Sequence, residues 1–496
     1  MLTFVIKILI ILPCFIKADD EKFFYLPDDL KIGISSSSYQ TEGAWNLSDK
    51  SPSIWDVYTH SNIDMIQDKS NGDIAADTYH KYKEDIQLMK KAGFNHFRLS
   101  LSWARILPTG FADKVSQDGV QYYKNVLDEL HANNIEPIVT IYHFDHPDAL
   151  EKVSGWLNET MVEAFADYAR FVFSEFGSRV KVWTTINAPT FLCNYGYGSG
   201  TSAPGLQMPG VGPYICVHNM LKAHARAYRI YDEEFRKTQH GQVGVVVSCG
   251  HFFPINKNDT ESPDIAYQYE CGWFAHPVFS NKGDYPSIMR KRIDENSKLQ
   301  GYPKSRLPVF SSEWIKYIRG TYDYLGLNHY SSNMVDSVEK DEQTGWYDDS
   351  GIIQSVNDSW PSIGSGMKTV PHGFSGLLRK IKEEYNNPIV YVMENGVADY
   401  GHKLNIIDFE RVNFYYSYMK EMILAITRDG CNVKKYTIWS FLDSFEWGRG
   451  YTERYGIVYV NFTDPNRSRT PRQSYYWLKY INNKRNLLSL EEFNNQ

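Results

Sequence analysis

Polar and aromatic side chains recur at one kind of position in this chain, the point where a short apolar run stops. They are Gln40, Arg98, His143, Asn187, Asn328 with Tyr330, Glu394 and Trp439. Glu446 and Trp447 follow just past the last run, in "DSFEWGRGYTERYG". Amides, an imidazole and carboxylates can each bond neighbouring hydroxyls, and an indole offers a flat apolar face. Together they are what a polyhydroxylated ring needs: bidentate partners for vicinal hydroxyls and an aromatic floor. A lone Asn or His at such a position caps a loop as readily as it binds a ligand. Their joint appearance at the same end of successive runs is what argues for a site.

The elements that must position them are eight nearly continuous apolar runs. These are "KIGISSSSYQ" (31–40), "HFRLSLSW" (96–103), "PIVTIYHFD" (137–145), "VKVWTTINA" (180–188), "VGVVVSCG" (243–250), "YLGLNHY" (324–330), "IVYVMENG" (389–396) and "YTIWSFLD" (436–443). Most are β-branched or aromatic, as expected of parallel strands covered on both faces. Helical patterns precede several of them. In "YHKYKEDIQLMKKAG", Tyr82, Ile86 and Met89 recur at three- and four-residue steps and Gly93 ends the helix. "GVQYYKNVLDELHANN" precedes the third run and "MVEAFADYARFVFSEFG" the fourth. Eight strands alternating with helices predict an α/β fold, a (β/α)8 TIM barrel, whose chemistry sits at the C-terminal strand ends. An open doubly wound sheet shares the alternation. Spacing lengthens after the fourth run, so long insertions are expected in the later βα loops.

Bulk composition narrows the partners. The 496 residues are 42% hydrophobic and 22% charged, which excludes disorder. With a net charge of −7 and no long basic run, neither nucleic acid nor an anionic membrane surface is an expected partner. The opening "MLTFVIKILIILPCFIKADD" is apolar from Ile8 to Ile16 and reads as a signal peptide, 1–18, cut after Ala18. The run is short for a membrane span. The expected mature unit, 19–496, is a single barrel domain and is secreted. Asn46, Asn158, Asn258, Asn357, Asn461 and Asn466 each begin an N-x-S/T glycosylation triplet, which fits secretion. Removing the leader takes Cys14 and leaves Cys193, Cys216, Cys249, Cys271 and Cys431, an odd number with no C-x-x-C pair. At least one thiol is then unpaired, and neither a metal nor another cofactor is expected.

On these residues the sequence resembles glycoside hydrolase family 1, the β-glucosidase and myrosinase family, over nearly the whole mature chain. "SSSSYQTEGAW", "FRLSLSWARILPTG", "YHFDHP", "YLGLNHY", "MENG" and "WSFLDSFEWGRGYTERYGIVYV" are similar to its motifs, in the family's order. "GWFAHPVF", "GDYP" and "SRLPVF" fit its animal and insect members. The resemblance implies that Glu394 is the nucleophile and that Arg98 and Tyr330 hold its carboxylate. It implies that Gln40, His143, Asn187, Glu446 and Trp447 bind glucose hydroxyls and that Trp439 forms the floor. The expected partner is a small-molecule β-glucoside.

One position departs from that pattern. A retaining glycosidase uses two carboxylates about 5–5.5 Å apart, one to attack the anomeric carbon and one to move protons. In the family the second is the Glu of N-E-P, and here the motif is Asn187-Ala188-Pro189. A methyl group cannot exchange a proton. That loss costs typically ~10²–10⁴-fold in rate, or about 3–5 kcal/mol. An alkyl glucoside, with its basic leaving alkoxide, should suffer most; an aglycone that departs as a stable anion, such as a thioglucoside's resonance-stabilised thiolate, should suffer least. The plant thioglucosidases of the family also lack this Glu. Two alternatives stand beside this reading: an ordinary O-β-glucosidase with a substitute proton donor, and a glucoside-binding protein without useful catalysis. Retention of Glu394, Arg98 and Tyr330 argues against the latter. Further departures fall on the aglycone side. Phe144 replaces a usual Trp. Where "GSGMKTVPHGF" resembles the family's S-x-W-L-K-x-x-P-W-G-F, Gly366 and His372 each replace a Trp.

Overall fold

The computed structural model describes residues 24–338, 346–364, 366–400 and 404–495. The leader assigned to 1–18, with Cys14 and Ala18, lies outside the described residues. Each of the eight apolar runs overlaps one barrel strand, β3, β5 and β8 starting one, one and three residues before theirs: β1 (Lys31–Ser35), β2 (His96–Ser100), β3 (Glu136–Tyr142), β4 (Val182–Asn187), β5 (Gln242–Ser248), β6 (Tyr324–Asn328), β7 (Val390–Asn395) and β8 (Val433–Ile438). They pair in chain order, all parallel, and β8 closes back onto β1. Closure rules out the open sheet. All six residues of β4 and of β7 are buried, which is why these runs lack the polar alternation of a one-sided sheet. Inside the barrel β1 and β2 meet so tightly that a Cβ at Gly33 would lie 2.2 Å from the His96 ring.

The helices expected before β2, β3 and β4 form over Thr78–Lys91, Gln117–Ala132 and Thr160–Phe176. In the first, Ile86 and Met89 are buried, Tyr82 packs half-buried beside them, and Gly93 ends the helix at φ 72°. The long later loops are structured insertions. His251–Pro254 after β5 and Ser332–Ser337 after β6 pair in parallel, and Ile352–Ser355 adds antiparallel to the second. The cysteines pair as Cys193–Cys216 and Cys249–Cys271, bracing the segments that follow β4 and β5; Cys431 is free and buried. Of the glycosylation triplets, Asn46, Asn258 and Asn466 are exposed, while Asn158, Asn357 and Asn461 are half-buried. The Asn158 amide nitrogen already donates to the Val153 carbonyl at 2.9 Å. No helix among the described residues is long and apolar enough to cross a membrane.

The segment after β8 is fixed by a buried charge. Asp443 accepts from Arg472 through both oxygens, at 2.8 and 3.0 Å, and from Arg454 at 3.2 Å. The Gly456 and Val460 amides also donate to it, at 3.1 and 3.3 Å. Burial opposes its ionisation, but Arg472, with Arg454 and Arg411, outweighs burial and holds the carboxyl below its ordinary range. This one side chain locks the turn between Trp439 and Glu446. Removing one partner of a buried ion pair costs about 3–5 kcal/mol. Asp443→Asn is therefore expected to lower the unfolding free energy in urea by about that amount. A loss below about 1 kcal/mol would show that the arginines do not depend on this carboxylate.

Candidate active site

Strand ends, and irregularities in their pairing, aim the site's side chains. The ladder between β4 and β5 shifts register between Thr184 and Asn187, and that between β7 and β6 shifts between Val392 and Glu394. Such shifts bend a strand and re-aim the residue at its end. Arg98 lies inside the barrel on β2, fully buried. Its Nη1 donates to Glu394 Oε1 at 2.6 Å and its Nη2 to Asn187 Oδ1 at 2.7 Å. Its Nε donates to Thr140 Oγ1 at 3.2 Å. The Tyr330 hydroxyl, two residues beyond β6, donates to Glu394 Oε2 at 2.6 Å. Burial, and then the Glu394 charge, push the Tyr330 phenol well above its ordinary range, so it stays a donor. Both oxygens of Glu394 are thus held by charge-assisted bonds.

Asn187 links this group to its neighbours. Its Oδ1 also accepts from Asn328 Nδ2 at 3.1 Å, and its Nδ2 lies 3.2 Å from His143 Nε2. Burial and then Arg98 hold His143 well below the ordinary imidazole range, so the ring is neutral. If Asn187 donates to Nε2, the ring hydrogen sits on Nδ1. Among the described residues neither His143 Nδ1 nor Asn328 Oδ1 has a hydrogen-bond partner. Both side chains line the cleft, although these two atoms are buried.

These groups line a cleft of about 720 Å³ together with Trp439, Glu446, Trp447, Glu453 and Tyr455. Of the expected sugar-binding set only Gln40 is absent from the wall. It is fully buried, takes the Ser37 hydroxyl on Oε1 at 2.7 Å, gives Nε2 to the Phe445 carbonyl at 2.9 Å, and braces Glu446 from behind. Burial, and then Glu453 and Glu394, push Glu446 up to about 8 against the Ser444 hydroxyl that bonds it at 2.7 Å.

Ala188 stands at the turn out of β4, with its side chain on the cleft wall. Its backbone is left-handed, φ 36° and ψ 59°. That conformation costs a residue with a Cβ roughly 1–2 kcal/mol. Pro189, first residue of the helix Pro189–Gly196, bars the helical alternative at Ala188, and the Ala188 amide is tied to the Val246 carbonyl at 2.9 Å. Whatever side chain occupies 188 is therefore delivered to the cleft. Among the described residues no cluster of three or more His, Cys, Asp or Glu could hold a metal.

The aglycone side differs from the sequence expectation. Phe144 lines the cleft, but Gly366 and His372 do not. Gly366 sits at φ 91° with open space where a Cβ would be, its neighbour Met367 reaches the cleft instead, and the His372 ring packs on Phe253 at 5.1 Å. A motif alignment cannot tell which way a loop residue faces. The wall is a chain of rings: Trp447 to Phe144 at 5.5 Å, Phe144 to Phe191 at 5.7 Å and Phe191 to Tyr195 at 4.7 Å. Phe191 and Tyr195 were not anticipated. Their signal was two aromatics four residues apart directly after Asn187-Ala188-Pro189. Glu453 and Tyr455, two residues apart in "YTERYG", carry a similar one. The remaining cation on the wall, Arg449, is paired with Glu453 at 3.4 Å.

The sequence profile of "Glycosyl hydrolase family 1" matches residues 23–487. "Myrosinase 1" of Brevicoryne brassicae is 42% identical over 467 residues, covering 93% of this chain and 98% of that protein. The solved structure of an aphid myrosinase superposes with a TM-score of 0.89 at 41% identity, covering 93% of this chain and 99% of that one. A rice beta-glucosidase mutant in a covalent complex with Glc superposes with a TM-score of 0.86 at 34% identity, over 92% of this chain and 98% of that one.

A pH dependence follows from Glu446. Its native carboxyl holds a proton up to about 8, whereas the unfolded chain releases it near 4.5. Between those values the native state binds more protons, so stability falls as pH rises. Asp145, pushed up to about 7 chiefly by burial, adds to the decline independently of Glu446. Urea unfolding from pH 5 to 8 should show a smaller loss for Glu446→Gln than for the wild type. Equal losses would contradict the assignment.

Proposed function

The chain belongs to glycosyl hydrolase family 1 and is a glycosidase, and from that premise we propose a secreted, retaining β-glucoside hydrolase for substrates whose leaving group departs without a proton. The observation that carries this reading is one carboxylate held at both oxygens, Glu394, beside a wall position, Ala188, that ends in a methyl group. Glu394 attacks the anomeric carbon. Arg98 and Tyr330 orient it, and His143, Asn187, Glu446 and Trp447 bind the sugar hydroxyls over the Trp439 face. The rice relative's covalent complex with Glc supports a glucosyl-enzyme on this fold. The aglycone leaves along the ring wall of Phe144, Phe191 and Tyr195 and has to accept the bond's electrons unaided. Thioglucosides with resonance-stabilised thiolates meet that requirement, and the likeness to myrosinases supports them. Secretion after cleavage at Ala18 is supported by the two disulfides, which persist in oxidising compartments, and by the exposed Asn46, Asn258 and Asn466. The mature domain is 19–496.

Three substrates test this: 2,4-dinitrophenyl β-glucoside, a thioglucoside with a good leaving group, and cellobiose. Turnover of the first two is expected, with cellobiose slower by ~10²–10⁴ or more. Glu394→Gln should abolish all of it. Ala188→Glu should raise cellobiose hydrolysis by at least about 10². Cellobiose turnover by the wild type at the rate of the dinitrophenyl glucoside would mean that another group supplies the proton.

A further inference from the structure

The absent proton acceptor bears on the second half of the reaction as much as on the first. Water that attacks the glucosyl-enzyme must lose a proton. Between His143 and Ser248 in sequence, the residues that line the cleft are Phe144, Asn187, Ala188, Phe191, Tyr195, Thr201 and Ser202, none of which is a base at neutral pH. His143 is a poor one, since burial and Arg98 disfavour its protonated form. Of the other acidic groups lining the cleft, Glu446 keeps its proton up to about 8 and takes the Ser444 hydroxyl, and Glu453 is paired with Arg449.

The charge balance of the same cleft changes when Glu394 is esterified. Arg98 is fully buried, and among the described residues Glu394 supplies the only anionic oxygen it bonds; its other partners are neutral oxygens of Asn187, Thr140 and Met393. Once glucose is bound to Glu394 that negative charge is gone and the buried guanidinium is uncompensated. Attraction for an anion strengthens where water is excluded. A carboxylate at 188 would repel such an anion, and a methyl group does not. The approach is walled by the rings of Phe144, Phe191 and Tyr195, which suit an apolar body.

We propose that the protein transfers glucose from Glu394 to anionic acceptors with an apolar body, aromatic carboxylates and thiolates, in preference to water. This rests on Glu394 being the nucleophile. In the first step the Glu394 carboxylate bonds to the anomeric carbon, and the aglycone leaves with the electron pair. In the second, the acceptor anion bonds to that carbon and the Glu394–carbon bond breaks, restoring the carboxylate. No proton moves in either step. The products are a β-glucosyl ester or a thioglucoside.

The test uses the full protein with 2,4-dinitrophenyl β-glucoside as donor and benzoate, thiophenolate or acetate as acceptor. Dinitrophenolate release is followed by absorbance, and products and protein mass by mass spectrometry. With benzoate or thiophenolate, release should accelerate about tenfold or more, since unassisted water is slowed by ~10²–10⁴. The glucosyl ester or thioglucoside should outweigh free glucose, and benzoate should saturate at lower concentration than acetate. The effect should follow the anion's concentration as pH crosses the acceptor's pKa, and Ala188→Glu should return the product to glucose. Release that ignores the acceptor and yields glucose alone overturns the transfer while leaving Glu394 as nucleophile. Acetate acting as well as benzoate overturns the role of the ring wall. Neither release nor a glucosyl mass on the protein overturns the nucleophile assignment itself, and the transfer with it.

Discussion

A carboxylate at the mouth of a barrel is costly to bury unless its charge is answered, and Glu394 is answered by Arg98 from the barrel interior. Much of the site's architecture follows from that pair. Arg98 reaches from β2, and its nitrogens also need oxygens from β3, β4 and β7, which Thr140, Asn187 and Met393 supply. Tyr330 closes the other oxygen from the segment after β6. Five strand ends therefore have to be in register at once, a condition that a closed barrel meets and a frayed sheet does not. The register shifts at Asn187 and Glu394 are the local adjustments that bring the two side chains to one cation.

The cleft is asymmetric around that group. On one side the polar groups of His143, Asn187, Asn328 and Glu446 line the cleft and are braced by hydrogen bonds. On the other side the wall is aromatic, and Ala188, to which the proposed mechanism gives no proton to move, carries a methyl. The magnitudes decide what this permits. Missing acid–base help removes about 3–5 kcal/mol, which an alkoxide leaving group cannot replace and a stabilised anion does not need. The left-handed backbone at Ala188 stores up to about 2 kcal/mol and still delivers its side chain to the cleft. The turn is thus built to present a functional group, and the chain presents none there.

Much of this was legible in the residues because it depends on local pattern. Continuous β-branched and aromatic runs marked all eight strands, and polar or aromatic residues in seven of them marked the end of the barrel that carries the site. Tyr330, written inside the sixth run, lies beyond β6, which ends at Asn328, and that offset lets its hydroxyl turn back to Glu394. What stayed hidden depends on direction and distance. Gln40 has the right type but faces Phe445 from behind the wall. Gly366 and His372 align with aglycone residues yet point elsewhere, while Phe191 and Tyr195 join the wall through a helix whose orientation no spacing reveals. The pairing of Cys193 with Cys216 and of Cys249 with Cys271 likewise needed the fold.

In the proposed mechanism, bond cleavage depends on the leaving group's own stability. Single-turnover rates across a series of aryl β-glucosides, plotted against leaving-group pKa, test it most directly. A steep fall with rising pKa is expected for the wild type and a shallow one for Ala188→Glu, since general-acid help flattens such a dependence. A wild-type dependence as shallow as that of the variant would contradict it.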